Sequence, residues 1–229
     1  EKDPAALARV EAQIQAKRIE FRSEAWRHES GISSRNYATY EDYVLHQAEK
    51  LEQIGGKAFV NPEKAIEMFR KRFELITELP PKASILCLGA RCGEEVQAFR
   101  ELGYAAVGID LNPGKDNPYV SKGDFHALQY SDGSLQAVYV NCLDHAFDLE
   151  KILNEVSRVL KTGGFFIADI LYGYNEGFTV GNHDTMHWDK AQNFADHLSN
   201  VSGFKIVTFR DLAKQRRSIF WTQCVMIKS

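Results

Sequence analysis

The chain has 229 residues, 44% hydrophobic and 26% charged, with a formal net charge of −3. That length and balance fit one domain of generous size, or one domain with a helical extension, and argue against a disordered chain. The mildly acidic total gives no electrostatic footprint for wrapping a phosphate backbone, and the apolar runs fall short of the roughly 18 residues a membrane helix needs, so neither nucleic acid nor membrane is expected as a partner.

In chain order, residues 1–80 read as helix. Asp3-Pro4 supplies a cap and a first-turn proline ahead of Ala5 to Phe21. Gly31 to Asn36 is a break, and Tyr40 to Ile54 resumes helical spacing up to Gly55-Gly56. Asn61-Pro62 starts a third helix with Ile66, Phe69, Phe73 and Ile76 on one face, ending at Pro80-Pro81. Residues 81–229 then alternate short apolar runs with helical segments, the pattern of βαβ units and a parallel sheet. Strands are expected at Ser84 to Leu88, Ala105 to Ile109, Tyr119 to Lys122, Ala137 to Asn141 and Phe165 to Ile170. Helices are expected at Glu94 to Leu102, Leu149 to Leu160 and Asp189 to Asn200. Phe204 to Arg210 and Ser218 to Ile227 are joined by too short a connection for a crossover helix, so they must form an antiparallel hairpin. Four cysteines, at 87, 92, 142 and 224, show no metal-like spacing. Cys87 and Cys142 fall in strands expected to be buried, and the whole reads as a reducing, cytoplasmic protein.

The first of these strands breaks at Gly89 and enters its helix through Ala90-Arg91-Cys92-Gly93. A strand that ends at glycine lets a ligand approach backbone N–H groups closely, or is simply a tight turn. Asp110, followed by Leu111, ends the second strand about twenty residues later, where doubly wound folds place the acid that accepts ribose hydroxyls. Gly123-Asp124-Phe125 follows the third strand; its aspartate can accept from an exocyclic amino group. Asn141 closes the fourth.

These motifs, with Leu160-Lys161-Thr162-Gly163-Gly164-Phe165, resemble the class I S-adenosylmethionine-dependent methyltransferases, the large group that includes small-molecule and ubiquinone-pathway enzymes. The resemblance covers Lys82 to Ser229. It implies a Rossmann-like, doubly wound, mostly parallel seven-stranded α/β sheet, with residues 1–80 as a helical cap or lid. S-adenosyl-L-methionine is the implied cofactor, held by Gly89, Ala90, Arg91, Gly93, Asp110, Leu111, Asp124, Phe125 and Asn141. The chain departs from the family where an acid is usual, at Cys87, and where glycine is usual, at Arg91. Arg91 is either a solvent-facing loop residue or a partner for the cofactor's carboxylate.

A nicotinamide enzyme would show G-x-G-x-x-G, and this turn offers only Gly89 and Gly93. A methyltransferase-like binding module without catalysis stays open.

Asp144-His145 follows the fourth strand, at the end of the sheet where ligands bind. His145 is expected as general base, with Asp144 orienting it, for methyl transfer to a small polar molecule, most readily at oxygen. Tyr37, Tyr172, His183 and His187, from aromatic- and histidine-bearing loops, are the expected substrate contacts. Asn141-x-x-Asp144-His145 also resembles the Glu-x-x-Glu-His element of metal-assisted O-methyltransferases, with both acidic positions weakened, but no metal is expected. The N-terminal helices close over the cofactor, or else pad the sheet or build a homodimer interface.

Overall fold

In the computed structural model, which describes residues 4–53, 61–214 and 220–229, seven strands form one sheet. In chain order they are β3 (Ser84–Leu88), β4 (Ala105–Asp110), β5 (Val120–Lys122), β6 (Leu135–Val140), β7 (Leu160–Leu171), β9 (Lys205–Asp211) and β10 (Trp221–Ile227). Their spatial order is β5-β4-β3-β6-β7-β10-β9. The pairs from β5 to β7 are parallel, and β10 runs antiparallel between β7 and β9. This is the expected doubly wound sheet with its terminal hairpin. Because the chain steps from β3 out to β4 and β5 and returns on the other side as β6, the winding reverses at β3. The ligand crevice of such a sheet lies there, beyond the strands' carboxyl ends.

Both faces are covered, which is why Ile85, Leu86, Cys87 and Leu88 are all buried rather than alternating. On one side lie α3 (Pro62–Phe73) and α4 (Glu94–Glu101), packing Phe69, Phe73, Val96 and Phe99 onto Ile85 and Tyr139. On the other lie α5 (Leu149–Val159) and α6 (Ala191–Ser202). The α5 sequence explains its fold: Asp148 caps it by accepting from the Lys151 N–H at 3.0 Å. Leu149, Ile152, Leu153, Val156 and Val159 then fall on one buried face at spacings of three and four. Burying each contributes on the order of 1.5–3 kcal/mol. Arg72 of α3 is buried against Asp169 of β7 at 3.1 Å, and Tyr139 and Gln223 donate to the same carboxylate, so α3 is bolted to the sheet rather than free to act as a lid.

The N-terminal third is not wholly helical. Between α1 (Pro4–Phe21) and α2 (Tyr40–Gln53), strands β1 (Trp26–Glu29) and β2 (Ile32–Arg35) form an antiparallel hairpin. Its loop, Ser30-Gly31, takes φ of 49° and 81°, the left-handed pair that matches the twist of a two-residue hairpin. A further short strand, β8 (Met186–Trp188), pairs with β2. The break expected over residues 31–36 is therefore strand and turn; the Ser-Gly pair was its signal. Strand β7 starts at Leu160, within the segment expected to turn, and Cys142 lies just beyond β6, half-buried. Asp3, Gly55-Gly56 and Ser218 lie outside the described residues.

Candidate active site

Beyond the carboxyl ends of β3, β4 and β6 opens a small cavity. Tyr43, Gln47, Gly89, Arg91, Asp110, Leu111, Asn112, Phe125, Cys142 and His145 line it. Five of the residues expected to hold a cofactor (Gly89, Arg91, Asp110, Leu111 and Phe125) line it, together with His145.

The first wall is a set of strand ends locked to one another. Gly89 takes φ +64°, and a Cβ there would lie 2.3 Å from the Cys142 Sγ, so any side chain would collide with the cavity floor. Asp110 accepts from the Arg91 N–H at 3.0 Å with one oxygen and from the Asn112 N–H at 2.7 Å with the other. Each oxygen retains a second acceptor site, and Asp110 lines the cavity. Arg91 itself takes φ +37°, left-handed for a side-chain-bearing residue, at the position where the resembling family carries glycine.

Cys87, where that family carries an acid, is sealed beneath the sheet, and burial pushes its thiol pKa well up. Ala90 and Gly93 shape the turn from below. Ala90 is buried with its N–H given to the Ile109 carbonyl, and Gly93 leaves no room for a Cβ beside Tyr119. Neither lines the cavity. Asn141 is half-buried at the end of β6 and also stands off the wall.

Asp124 is more committed than its sequence position suggests. Its Oδ1 accepts from the His126 backbone N–H and faces that ring's Nδ1, each at 2.8 Å, and its Oδ2 accepts from the Tyr40 hydroxyl at 2.7 Å. Burial alone would raise this carboxyl, but the bonds from His126 and Tyr40 outweigh it and hold it at about 2.

The opposing wall comes from α2 and from the segment before β8. Tyr43 is fully buried, and its hydroxyl donates to the His145 carbonyl at 3.0 Å. Gln47, one turn further along, donates to the His183 carbonyl at 2.8 Å. His145 sits in a 3₁₀ turn, Leu143–His145, with its Nδ1 2.9 Å from the same His183 carbonyl and its Nε2 3.3 Å from Asp144 Oδ2. A carbonyl only accepts, so Nδ1 carries hydrogen and Nε2 faces the carboxylate.

Of the four expected substrate contacts, Tyr37 and His183 lie beside this wall. The Tyr37 hydroxyl bonds His46 Nδ1 at 2.7 Å, and the His183 ring packs against His46 at 5.0 Å. Burial raises the Tyr37 hydroxyl to about 12, so it stays protonated. The other two lie elsewhere. Tyr172 donates to Asp211 in a separate groove lined by Phe209, Arg210 and Thr222. His187 is buried in β8 among Phe21, Phe178 and Trp188, where desolvation lowers its pKa to about 4. It is a neutral core residue. Tyr40, Tyr43 and Gln47 were missed, although their spacing of three and four along one helix marks a common face. Gln47 in particular has no chemical signature of its own.

A family model for a methyltransferase domain matches residues 86–168. A sterol 24-C-methyltransferase of Aspergillus fumigatus is 48% identical over a stretch covering 44% of this chain and 30% of that protein. Another, from Neurospora crassa, is 30% identical over the same shares, so the chain spans about 30% of the length of these curated relatives. Among solved structures, a Burkholderia thailandensis 1,6-didemethyltoxoflavin-N1-methyltransferase, with that heterocycle and S-adenosylhomocysteine bound, superposes with a TM-score of 0.64. It is 12% identical, over 89% of this chain and 99% of that one. A methyltransferase of Methanosarcina mazei reaches a TM-score of 0.53 at 18% identity, over 66% and 94% of the two chains. Residues 86–168 thus match a methyltransferase domain, and the fold and strand order resemble those of S-adenosylmethionine-dependent methyltransferases of known structure.

Proposed function

We propose that the cavity binds S-adenosylmethionine and transfers its methyl group to a small polar acceptor, with oxygen as the receiving atom. One observation carries this: Gly89, Asp110 and His145, the last beside Asp144, line the same cavity. In the bound complex Asp110 would take the ribose hydroxyls on its remaining acceptor sites. Arg91, whose backbone is already fixed by Asp110, would meet the methionine carboxylate with its guanidinium. The acceptor then lies on the His145 side. Bound there, S-adenosylmethionine would supply an electrophilic methyl group on sulfur, and His145 Nε2 would take the proton that the acceptor oxygen gives up on methylation. The new imidazolium is stabilised by Asp144 on one nitrogen and the His183 carbonyl on the other. Helix α2, through Tyr43 and Gln47, acts as the cover that excludes water; α3 does not.

A small acceptor fits the likeness in fold to an enzyme whose structure holds 1,6-didemethyltoxoflavin, and a cytoplasmic setting fits four cysteines that are all free thiols. No helix of the described residues is long and apolar enough to cross a membrane. The test is His145→Ala assayed for S-adenosylhomocysteine release against a panel of small hydroxyl compounds. The expected result is turnover lowered about 100-fold or more with cofactor binding retained. Undiminished turnover would remove His145 from the chemistry.

A further inference from the structure

Gln47 and His145 line the same cavity, and their side chains are anchored on one atom. Gln47 Nε2 donates to the His183 carbonyl oxygen at 2.8 Å, and the His145 ring meets that same oxygen through Nδ1 at 2.9 Å. Amide and imidazole therefore stand within two hydrogen-bond lengths of each other where they are anchored. They come from distant parts of the chain, Gln47 from α2 and His145 from the 3₁₀ turn after β6. A second bond ties these elements together. Tyr43 shares a face of α2 with Gln47, one turn earlier, and its hydroxyl donates to the His145 carbonyl at 3.0 Å. Gln47 is thus held at both ends, its backbone through Tyr43 and its tip by His183, as a recognition group must be.

The anchor settles which way the amide lies. A carbonyl only accepts, so the nitrogen of Gln47, and not its oxygen, faces His183. The neighbouring groups are spent on one another: the Tyr43 hydrogen goes to the His145 carbonyl, and the His183 oxygen holds two donors, one for each lone pair. Gln47 Oε1 is different. Among the described residues the side chain makes no hydrogen bond other than the one to His183, and the residue is half-buried on the cavity wall. A bound molecule that covers this oxygen without offering it a donor strips it of water and leaves it unbonded, which costs affinity.

We propose that Gln47 selects the methyl acceptor, its Oε1 taking a hydrogen bond from an N–H or O–H beside the hydroxyl that His145 deprotonates. The substrate class this defines is a small hydroxyl compound with a second donor on the neighbouring position. A bare hydroxyl compound, or one whose neighbouring oxygen carries a methyl group, is disfavoured, because a site built to bond a donor rejects the analogue that lacks it. His145 Nε2 is left for the proton, since the shared anchor lies on the Nδ1 side of the ring. The proposal rests on the methyl-transfer reading of the cavity.

The test is calorimetric titration of S-adenosylhomocysteine-saturated protein with four phenols. Two of them, ortho-aminophenol and catechol, carry the second donor; phenol and ortho-methoxyphenol do not. Wild type is expected to bind the first two about tenfold or more tightly than the last two. In Gln47→Met, which keeps the reach of the side chain and removes the amide, the four should fall within about twofold of one another. A loss in Gln47→Met shared equally by all four phenols would mark the residue as structural and overturn the proposal. Wild type that binds all four alike, or none, overturns it too. Failure of S-adenosylhomocysteine itself to bind wild type would remove the methyl-transfer reading, and this proposal with it.

Discussion

The proposed cofactor wall of the cavity is made by turns between neighbouring parallel strands, whereas the proposed acceptor wall is made by residues a hundred positions apart in the chain. Gly89, Arg91 and Asp110 lie within about twenty residues, and the Asp110 carboxylate accepts from the Arg91 N–H at 3.0 Å. Tyr43 and Gln47 reach His145 and His183 from a helix whose own sequence advertises no chemistry. A wall built from local turns tolerates little change at its glycines and acids. A wall built by long-range docking depends instead on whatever holds its elements together.

The largest effect should follow from Asp110→Ala, which removes the acceptor for the Arg91 and Asn112 N–H groups together with the proposed ribose contact. S-adenosylhomocysteine affinity should fall by about 100-fold or more by calorimetry, since two charge-assisted bonds are lost. An unchanged dissociation constant would show that the cofactor wall is not where the cofactor binds. Gly89→Ala should come close behind, because its Cβ meets the Cys142 Sγ in a left-handed backbone. Adding Cys142→Ala removes the sulfur and should restore much of the affinity, leaving about 1 kcal/mol of backbone strain. No recovery in the double variant would place the cause elsewhere.

The acceptor wall is sharpened by acid. His187 anchors β8 in neutral form, with its pKa lowered to about 4 from an ordinary value near 6.5. Between those two values the unfolded chain binds the proton and the folded chain does not, so stability falls as pH drops through that window and is full above it. The cost approaches ~3 kcal/mol by pH 4. Thermal unfolding of His187→Phe should show a shallower fall in Tm from pH 7 to pH 4; equal slopes would contradict the assignment. The smallest effect is expected of Arg91→Gly. It should raise stability by about 1 kcal/mol through release of the left-handed arginine, yet weaken S-adenosylmethionine roughly tenfold by losing the carboxylate's partner. Tighter binding would assign Arg91 to solvent.

The same contrast decides what could be read from the chain alone. The sheet was legible strand by strand, because β3, β4 and β6 are mainly apolar runs ending at Gly89, Asp110 and Asn141, and the hydrophobic period and those end residues are local properties. That Asp110 and His145 lie at the carboxyl-end cavity was legible for the same reason. The β1–β2 hairpin and β8 were not, since each strand is three or four residues long and its pairing partner, in the case of β2 and β8, lies some 150 residues away. Tyr172 and His187 were drawn to the site by residue type alone. Residue type does not tell which way a loop carries a side chain, and one went to another groove while the other went into the core. Asp124 follows β5 as expected, but the Tyr40 hydroxyl that engages it comes from 84 residues upstream.

The most direct measurement is calorimetric titration of the protein with S-adenosylmethionine, S-adenosylhomocysteine and a nicotinamide dinucleotide. Micromolar, one-to-one binding of the two sulfur nucleosides and none of the dinucleotide is the predicted result. Binding of the dinucleotide alone, or of none of the three, would contradict it.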